Sequence, residues 1–229
     1  MKTAIVTGAS GNLGQAVVRR LLADDYRVTG TVIPGDPLNP DFGDSRVNLV
    51  PVDLTDEKAA AAFVEQIIRE KGVIDTAVLT VGGFAMGGIA ETDLAQVQKQ
   101  ILLNVATTWT MARPVFLQMK KQGQGRIFMI GSKPGLDMTA SGGKVAYGMA
   151  KSLIFRMAEL MNEEAKGTNV VTGVIVPSTI DTPQNRESMP GADFTKWVTP
   201  EAIADVIAFY SGPGAAILRE PVIKVYGNA

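Results

Sequence analysis

An apolar run, Thr3–Val6, passes directly into Thr7-Gly8-Ala9-Ser10-Gly11-Asn12-Leu13-Gly14 and then into an amphipathic stretch, Gln15–Ala23. No other feature narrows the fold as much. A short run with no polar alternation reads as a strand buried on both faces, which needs a sheet covered on both sides. The glycines let the chain turn sharply, so that the next helix packs back on the strand it has just left. The rest of the chain repeats the alternation. Runs at Arg27–Ile33, Val47–Val52, Thr76–Val81, Arg126–Ile130, Asn169–Val176 and Val222–Val225 read as strands. Stretches at Glu57–Glu70, Leu94–Lys121, Ala146–Glu164 and Glu201–Tyr210 read as helices. Such alternation implies βαβ units with right-handed crossovers and a parallel sheet.

The expected fold is therefore α/β: a doubly wound parallel sheet (Rossmann) of about seven strands in three αβα layers. With 229 residues the chain makes one large domain, 1–229, and no internal boundary is visible. Pro34–Gly43 reads as a loop after the second strand. The one long irregular stretch is 177–199, with Pro177, Pro183, Pro190 and Gly191. It is too long for an ordinary connection and reads as a substrate lid.

Missing residue types exclude whole chemistries. The chain has no Cys and no His. Disulfides, thiolate nucleophiles, Cys-ligated zinc, iron–sulfur clusters, Ser-His-Asp triads and imidazole bases are all impossible. Acid–base work falls to Tyr, Lys, Asp or Glu. No carboxylate cluster suggests a metal. Lys+Arg is 22 against Asp+Glu 23, so no basic surplus points to nucleic acid. No apolar run is long enough to span a membrane. Residues 1–6 are too short for a signal peptide, which makes a cytoplasmic location the expectation.

The turn at Gly8, Ser10, Gly11, Asn12, Leu13 and Gly14 suits a pyrophosphate. Glycines allow close backbone approach, and the helix start offers free N–H groups at a positive dipole end. The second strand ends at Gly30-Thr31-Val32-Ile33, without the acid that would normally bind a ribose 2′-hydroxyl. Asp36, after Pro34-Gly35, could reach back. No Arg or Lys stands ready for a 2′-phosphate. Asp53 in Val52-Asp53-Leu54 ends a strand, where it can accept from an adenine amino group or cap the next helix. Gly82 and Gly83 end the fourth strand and allow close approach to a ribose.

Tyr147-Gly148-Met149-Ala150-Lys151 opens a helix. Residues four apart share a face, about 6 Å apart along the axis. An ammonium there should lower the phenol pKa from about 10, so that Tyr147 can give a proton to a carbonyl oxygen. Ser132, ending the fifth strand, could bond the same oxygen; Ser141 competes from a Gly-rich loop. Asn104 lies within a helical stretch that Asn disfavours, and its amide could hold a proton-relay water beside Lys151. Trp109, Trp197, Phe84 and Phe194 read as core or lid packing, with Trp197 and Met189 the better candidates to touch substrate.

Together these residues resemble the short-chain dehydrogenase/reductase family over the whole chain. The resemblance implies an NAD(P)-dependent oxidoreductase acting on a small molecule, with Tyr147, Lys151, Ser132 and Asn104 as its tetrad. It also implies cofactor contacts in Val176-Pro177-Ser178-Thr179-Ile180-Asp181-Thr182, where Thr182 would hold the nicotinamide carboxamide. A homodimer or homotetramer through helices 94–121 and 146–164 is implied as well. Asn12 stands where many members have Gly, and Ser178 where a Gly often follows the Pro. Within the family, the dihydropteridine reductases are similar at Tyr147–Lys151 and at Asp181-Thr182-Pro183, Asn185-Arg186, Ser188-Met189-Pro190, Ala192-Asp193-Phe194 and Trp197. That likeness leans the cofactor to NAD. The animal enzymes of that branch lack the Ser and carry an Asp ending the second strand; this chain has Ser132 and Val32. Dihydropterin-like and ordinary carbonyl substrates both stay open. A non-catalytic dinucleotide-binding sensor is the alternative from another class, against which the intact Tyr147/Lys151 pair argues.

Overall fold

The computed structural model describes residues 1–37, 40–219 and 221–228. Seven parallel strands form one sheet in the order β3-β2-β1-β4-β5-β6-β7. They are β1 (Lys2–Thr7), β2 (Tyr26–Val32), β3 (Val47–Pro51), β4 (Thr76–Leu79), β5 (Gln124–Ile130), β6 (Asn169–Pro177) and β7 (Val222–Val225). The helices are α1 (Asn12–Ala23), α2 (Glu57–Lys71), α3 (Leu94–Ile101), α4 (Thr107–Gln122), α5 (Lys133–Leu136), α6 (Val145–Glu164), α7 (Pro183–Ser188) and α8 (Pro200–Ser211). Strand order reverses between β1 and β4. In such sheets the C-terminal strand edges at that point form a crevice.

The central strands alternate between two cores. Ile5, Ala77, Leu79, Ile127, Met129, Val174 and Val176 pack against residues of α2, α4 and α6. Their neighbours Ala4, Val6, Val78, Phe128 and Ile175 pack against α1 and α8. Burial on both faces accounts for the continuous apolar runs. Buried Val, Leu and Ile side chains stabilise by about 1.5–3 kcal/mol each against an exposed reference. The sheet is thereby the rigid base from which the strand ends are presented.

Three details differ from the sequence reading. The expected helix 94–121 is interrupted at Leu102–Ala106 by a π turn around Asn104. Thr107 and Thr108 hydroxyls donate to the Leu103 and Asn104 carbonyls there, at 2.8 and 2.7 Å. The fourth strand stops at Leu79; Thr80 Oγ1 turns to donate to the Thr7 carbonyl at 2.6 Å. The stretch 177–199 is not wholly irregular. It carries α7 and a short 3₁₀ turn, Phe194–Lys196, and Val198 bridges back to Ile180. Of the expected loop Pro34–Gly43, residues 38 and 39 lie outside the described residues.

Candidate active site

The glycine-rich turn sits at the C-terminal end of β1, where the strand order reverses. Gly8 has φ +62° and is wedged against Thr80 and Val81, so only glycine suits the position. A Cβ on Gly14 would run into the Gly8 carbonyl, so α1 lies directly on the turn. Ala9 N donates to the Thr31 carbonyl at 2.9 Å and Gly8 N to Thr31 Oγ1 at 3.3 Å, which ties the turn to β2. Helices α2, α3 and α8 begin with side-chain caps from Asp56, Asp93 and Thr199. Helix α1 begins at Asn12, and its N-cap, Gly11, supplies no side-chain cap, so its first N–H groups, at Asn12 and Leu13, are left for the turn. These features fit a pyrophosphate.

Asp36 reaches the same turn. Asp36 N donates to the Ile33 carbonyl at 3.0 Å, and Gly35 has φ +79°. Pro34-Gly35 thus forms the centre of a tight turn. It folds the Asp36 carboxylate back to accept from Ser10 Oγ at 2.6 Å. Asp53 is exposed at the end of β3, and its Oδ1 accepts from Thr55 N and Oγ1 at 2.9 and 2.7 Å. These bonds hold its carboxyl below the usual range. The cap on α2 comes from Asp56 instead, so Asp53 is not the capping residue. Leu54 beside it is buried.

Across the crevice, Tyr147 and Lys151 share a face of α6, with Lys151 Nζ 5.9 Å from the Tyr147 ring centre. Lys151 is buried and donates to the Ile130 carbonyl at 2.7 Å. Burial pushes its ammonium down to about 8. Burial also pushes the Tyr147 phenol up, partly offset by a hydrogen bond with Ser132. The expectation of a phenol lowered by the ammonium is therefore corrected. Lys151 points at a carbonyl rather than at the phenol oxygen, and desolvation dominates. Ser132 is buried; its hydroxyl accepts from Gly135 N at 3.3 Å and so caps α5. Ser141 Oγ lies 2.7 and 2.9 Å from the carbonyls of Pro134 and Asp137. Ser132, not Ser141, is the serine whose hydroxyl counters the effect of burial on the Tyr147 phenol.

Asn104 is fully enclosed in the π turn. Its Nδ2 donates to the Gly83 carbonyl at 3.0 Å, and its Oδ1 accepts from Gly83 N at 3.2 Å. A Cβ at Gly82 would stand 2.7 Å from Asn104 Oδ1 and 3.3 Å from Lys151 Nζ. Glycine at 82 therefore keeps open the space between them. Pro177 ends β6, and Thr182 caps α7 by accepting from Asn185 N at 3.2 Å. One lid residue touches the cradle: Asn12 Nδ2 donates to Gln184 Oε1 at 2.9 Å.

Comparison with known proteins agrees with this geometry. The profile of the short chain dehydrogenase family matches residues 2–192. This chain is a short-chain dehydrogenase/reductase. It is 30% identical over 189 residues to an acetoacetyl-CoA reductase of Acinetobacter sp., covering 80% of this chain and 75% of that one. It is 25% identical over 258 residues to a cyclohexanol dehydrogenase of Rhodococcus sp., covering 99% and 95%. A solved short-chain dehydrogenase/reductase from Serratia marcescens superposes with a TM-score of 0.87 at 25% identity, over 100% of this chain and 98% of that one. The protein is thus an NAD(P)-dependent oxidoreductase with a Rossmann-type fold.

Sequence reading missed several residues around this dehydrogenase's site. Thr31 supports the turn through contacts 22 to 23 residues along the chain, which leave no local pattern. Phe84 is 60% exposed and meets the Tyr147 ring edge-on at 5.0 Å, so it is neither core nor lid. Trp109 is 44% exposed on α4. Trp197 packs against Phe194 within the lid, ring centres 4.7 Å apart and the rings tilted by 54°, as a packing role predicts. Among the described residues no metal-binding group of acids is present, and no helix is long and apolar enough to cross a membrane.

Proposed function

We propose that this enzyme reduces the carbonyl group of a small molecule, with Tyr147 as proton donor. The observation that carries the reading is Tyr147 on one face of α6 with the buried Lys151, its Nζ 5.9 Å from the centre of the phenol ring, beside the buried Ser132 at the strand edge. Bound NAD(P)H supplies the hydride. The turn at Gly8, Ser10, Gly11, Asn12, Leu13 and Gly14 holds the pyrophosphate. Asp53 and Leu54 would flank the adenine, and Gly82, Gly83, Lys151, Pro177 and Thr182 would line the nicotinamide half. Ser132 donates to the substrate oxygen and Tyr147 delivers the proton to it. Lys151 and Asn104 flank the space from which Tyr147 is reprotonated. The lid, 177–199, closes over the substrate and excludes water. The relatives, an acetoacetyl-CoA reductase and a cyclohexanol dehydrogenase, support a ketone–alcohol pair. The aromatic pair Phe194–Trp197 in the lid favours a flat ring as second reading, as in a dihydropterin.

NADH is the proposed cofactor. Its support is Asp36, whose carboxylate at Ser10 can accept from a ribose 2′-hydroxyl and repels a 2′-phosphate. The proposed assembly is a homodimer or homotetramer through α4 and α6, and the proposed location is the cytoplasm.

Paired fluorescence titrations with NADH and NADPH, followed by turnover assays on ketone, aldehyde and quinonoid dihydropterin panels, test this. The expected result is at least about tenfold tighter NADH binding, narrowed in Asp36→Asn. Turnover should drop by at least about 100-fold in Tyr147→Phe. Binding without turnover of any substrate would make the chain a dinucleotide sensor. Binding of neither nucleotide by folded protein would overturn the reading.

A further inference from the structure

Gln100 is the buried polar residue of α3, only 3% exposed, and the reaction as proposed does not use it. It lies one helical turn before Asn104. Asn104 Nδ2 donates to both its oxygens, the backbone carbonyl at 3.0 Å and Oε1 at 3.1 Å. Asn104 sits within the π turn at Leu102–Ala106. From there its side-chain amide reaches back one turn to both Gln100 oxygens. The far side of the Asn104 amide clamps both backbone groups of Gly83. A chain of contacts thus runs from Gln100 through Asn104 to Gly83, and Gly82 next to it lies under Lys151 Nζ. Gln100 and Asn104 are buried and, with Gly83, are joined by directional bonds, while Gly82 beside them is open to the crevice.

We infer that Gln100 is a positioning residue for the reaction, holding the Asn104 amide and through it the Gly82–Gly83 segment beneath Lys151. The inference rests on the oxidoreductase reading for its effect on turnover, but not for its effect on structure. Without Oε1, Asn104 Nδ2 keeps only backbone acceptors on that side, and the amide is free to tilt away from Gly83. A buried glutamine with no such task would be replaceable by an apolar side chain of equal volume at small cost. A misplacement of the site by a fraction of an ångström is expensive to catalysis but nearly silent in overall stability.

The test is a double-mutant cycle of Gln100→Met and Asn104→Ala, read by amide hydrogen exchange at Gly83 in the nucleotide-free protein. Gln100→Met should speed Gly83 exchange by about tenfold or more, and should add nothing further in the Asn104→Ala background. Gln100→Glu, which keeps an acceptor, should leave Gly83 protected. In turnover, Gln100→Met should lower kcat by about tenfold while nucleotide Kd stays within about twofold. Unchanged Gly83 protection in Gln100→Met would overturn the inference. So would equal acceleration with and without Asn104, or loss of protection in Gln100→Glu as large as in Gln100→Met. Failure of the oxidoreductase reading would show separately, as full activity in Tyr147→Phe or as absence of nucleotide binding.

Discussion

A buried ammonium couples chemistry to pH at the scale of one residue. Lys151 titrates at about 8 in the folded protein against an ordinary 10.5, because burial disfavours its charge. Between these values the unfolded chain binds more protons at this residue than the folded one, so its contribution to stability rises with pH. Below about 8 the whole cost of burying the charge is present. Lys151→Met removes the titration. Thermal melts across pH 7 to 11 should show wild type gaining on Lys151→Met between about 8 and 10.5 and not below. Activity should move the opposite way. With Lys151 charged in the working state, kcat/KM falls as pH rises through about 8, and Lys151→Arg moves that limb upward. A flat difference in melting temperature across the window would remove burial as the cause. Tyr147 and Lys151 were legible in sequence because helical spacing places them on one face. The direction of their pKa shifts was not, because it follows from how deeply the fold buries both groups, which helical spacing does not say.

Backbone close approach sets the limits at the scale of elements. Strands and helices were readable from apolar runs, since burial on both faces leaves no polar alternation to confuse them. Two local features lay beyond what the apolar pattern decides, although the sequence did raise Asp36 as a residue that could reach back. The π turn at 102–106 is written in hydroxyl and amide bonds from Thr107, Thr108 and Asn104, not in hydrophobic periodicity. The delivery of Asp36 to Ser10 depends on Pro34-Gly35 choosing one turn among several. The junction of β1 and α1 is different: its glycines announce it, and the structure says which one matters most. A Cβ on Gly14 meets the Gly8 carbonyl and Ala9 Cα, backbone atoms that cannot swing aside. Gly14→Ala should therefore push α1 off the turn, cost about 1–3 kcal/mol, and weaken NADH binding by about 100-fold or more. Gly142→Ala meets open space and should change stability by less than about 0.5 kcal/mol. Equal titration curves for Gly14→Ala and wild type would show that the turn does not hold the nucleotide.

For the whole molecule, the faces of the sheet are covered but the outer faces of α4 and α6 are not. Trp109, Leu117, Leu153 and Leu160 are each more than 40% exposed there. A groove of about 300 Å³ runs between the helices, lined by Trp109, Arg113, Phe116, Leu117, Met157, Leu160, Met161 and Glu164. Its two charges are opposite, and among the described residues neither Arg113 nor Glu164 has an ion-pair partner. An apolar floor with one charge of each sign is self-complementary. A second copy related by a two-fold axis can set its Arg113 against this Glu164, and the reverse, while the apolar side chains meet between them. A partner of unrelated sequence would need to match the same pattern by chance. Sedimentation of wild type should therefore give a dimer or a multiple of it. Arg113→Glu should weaken the dimer by about tenfold or more through two facing like charges, and Arg113→Glu with Glu164→Arg should restore it. A wild type that stays monomeric at high concentration would leave this face without its second copy. A double variant no better than Arg113→Glu would leave the dimer but move its contact elsewhere.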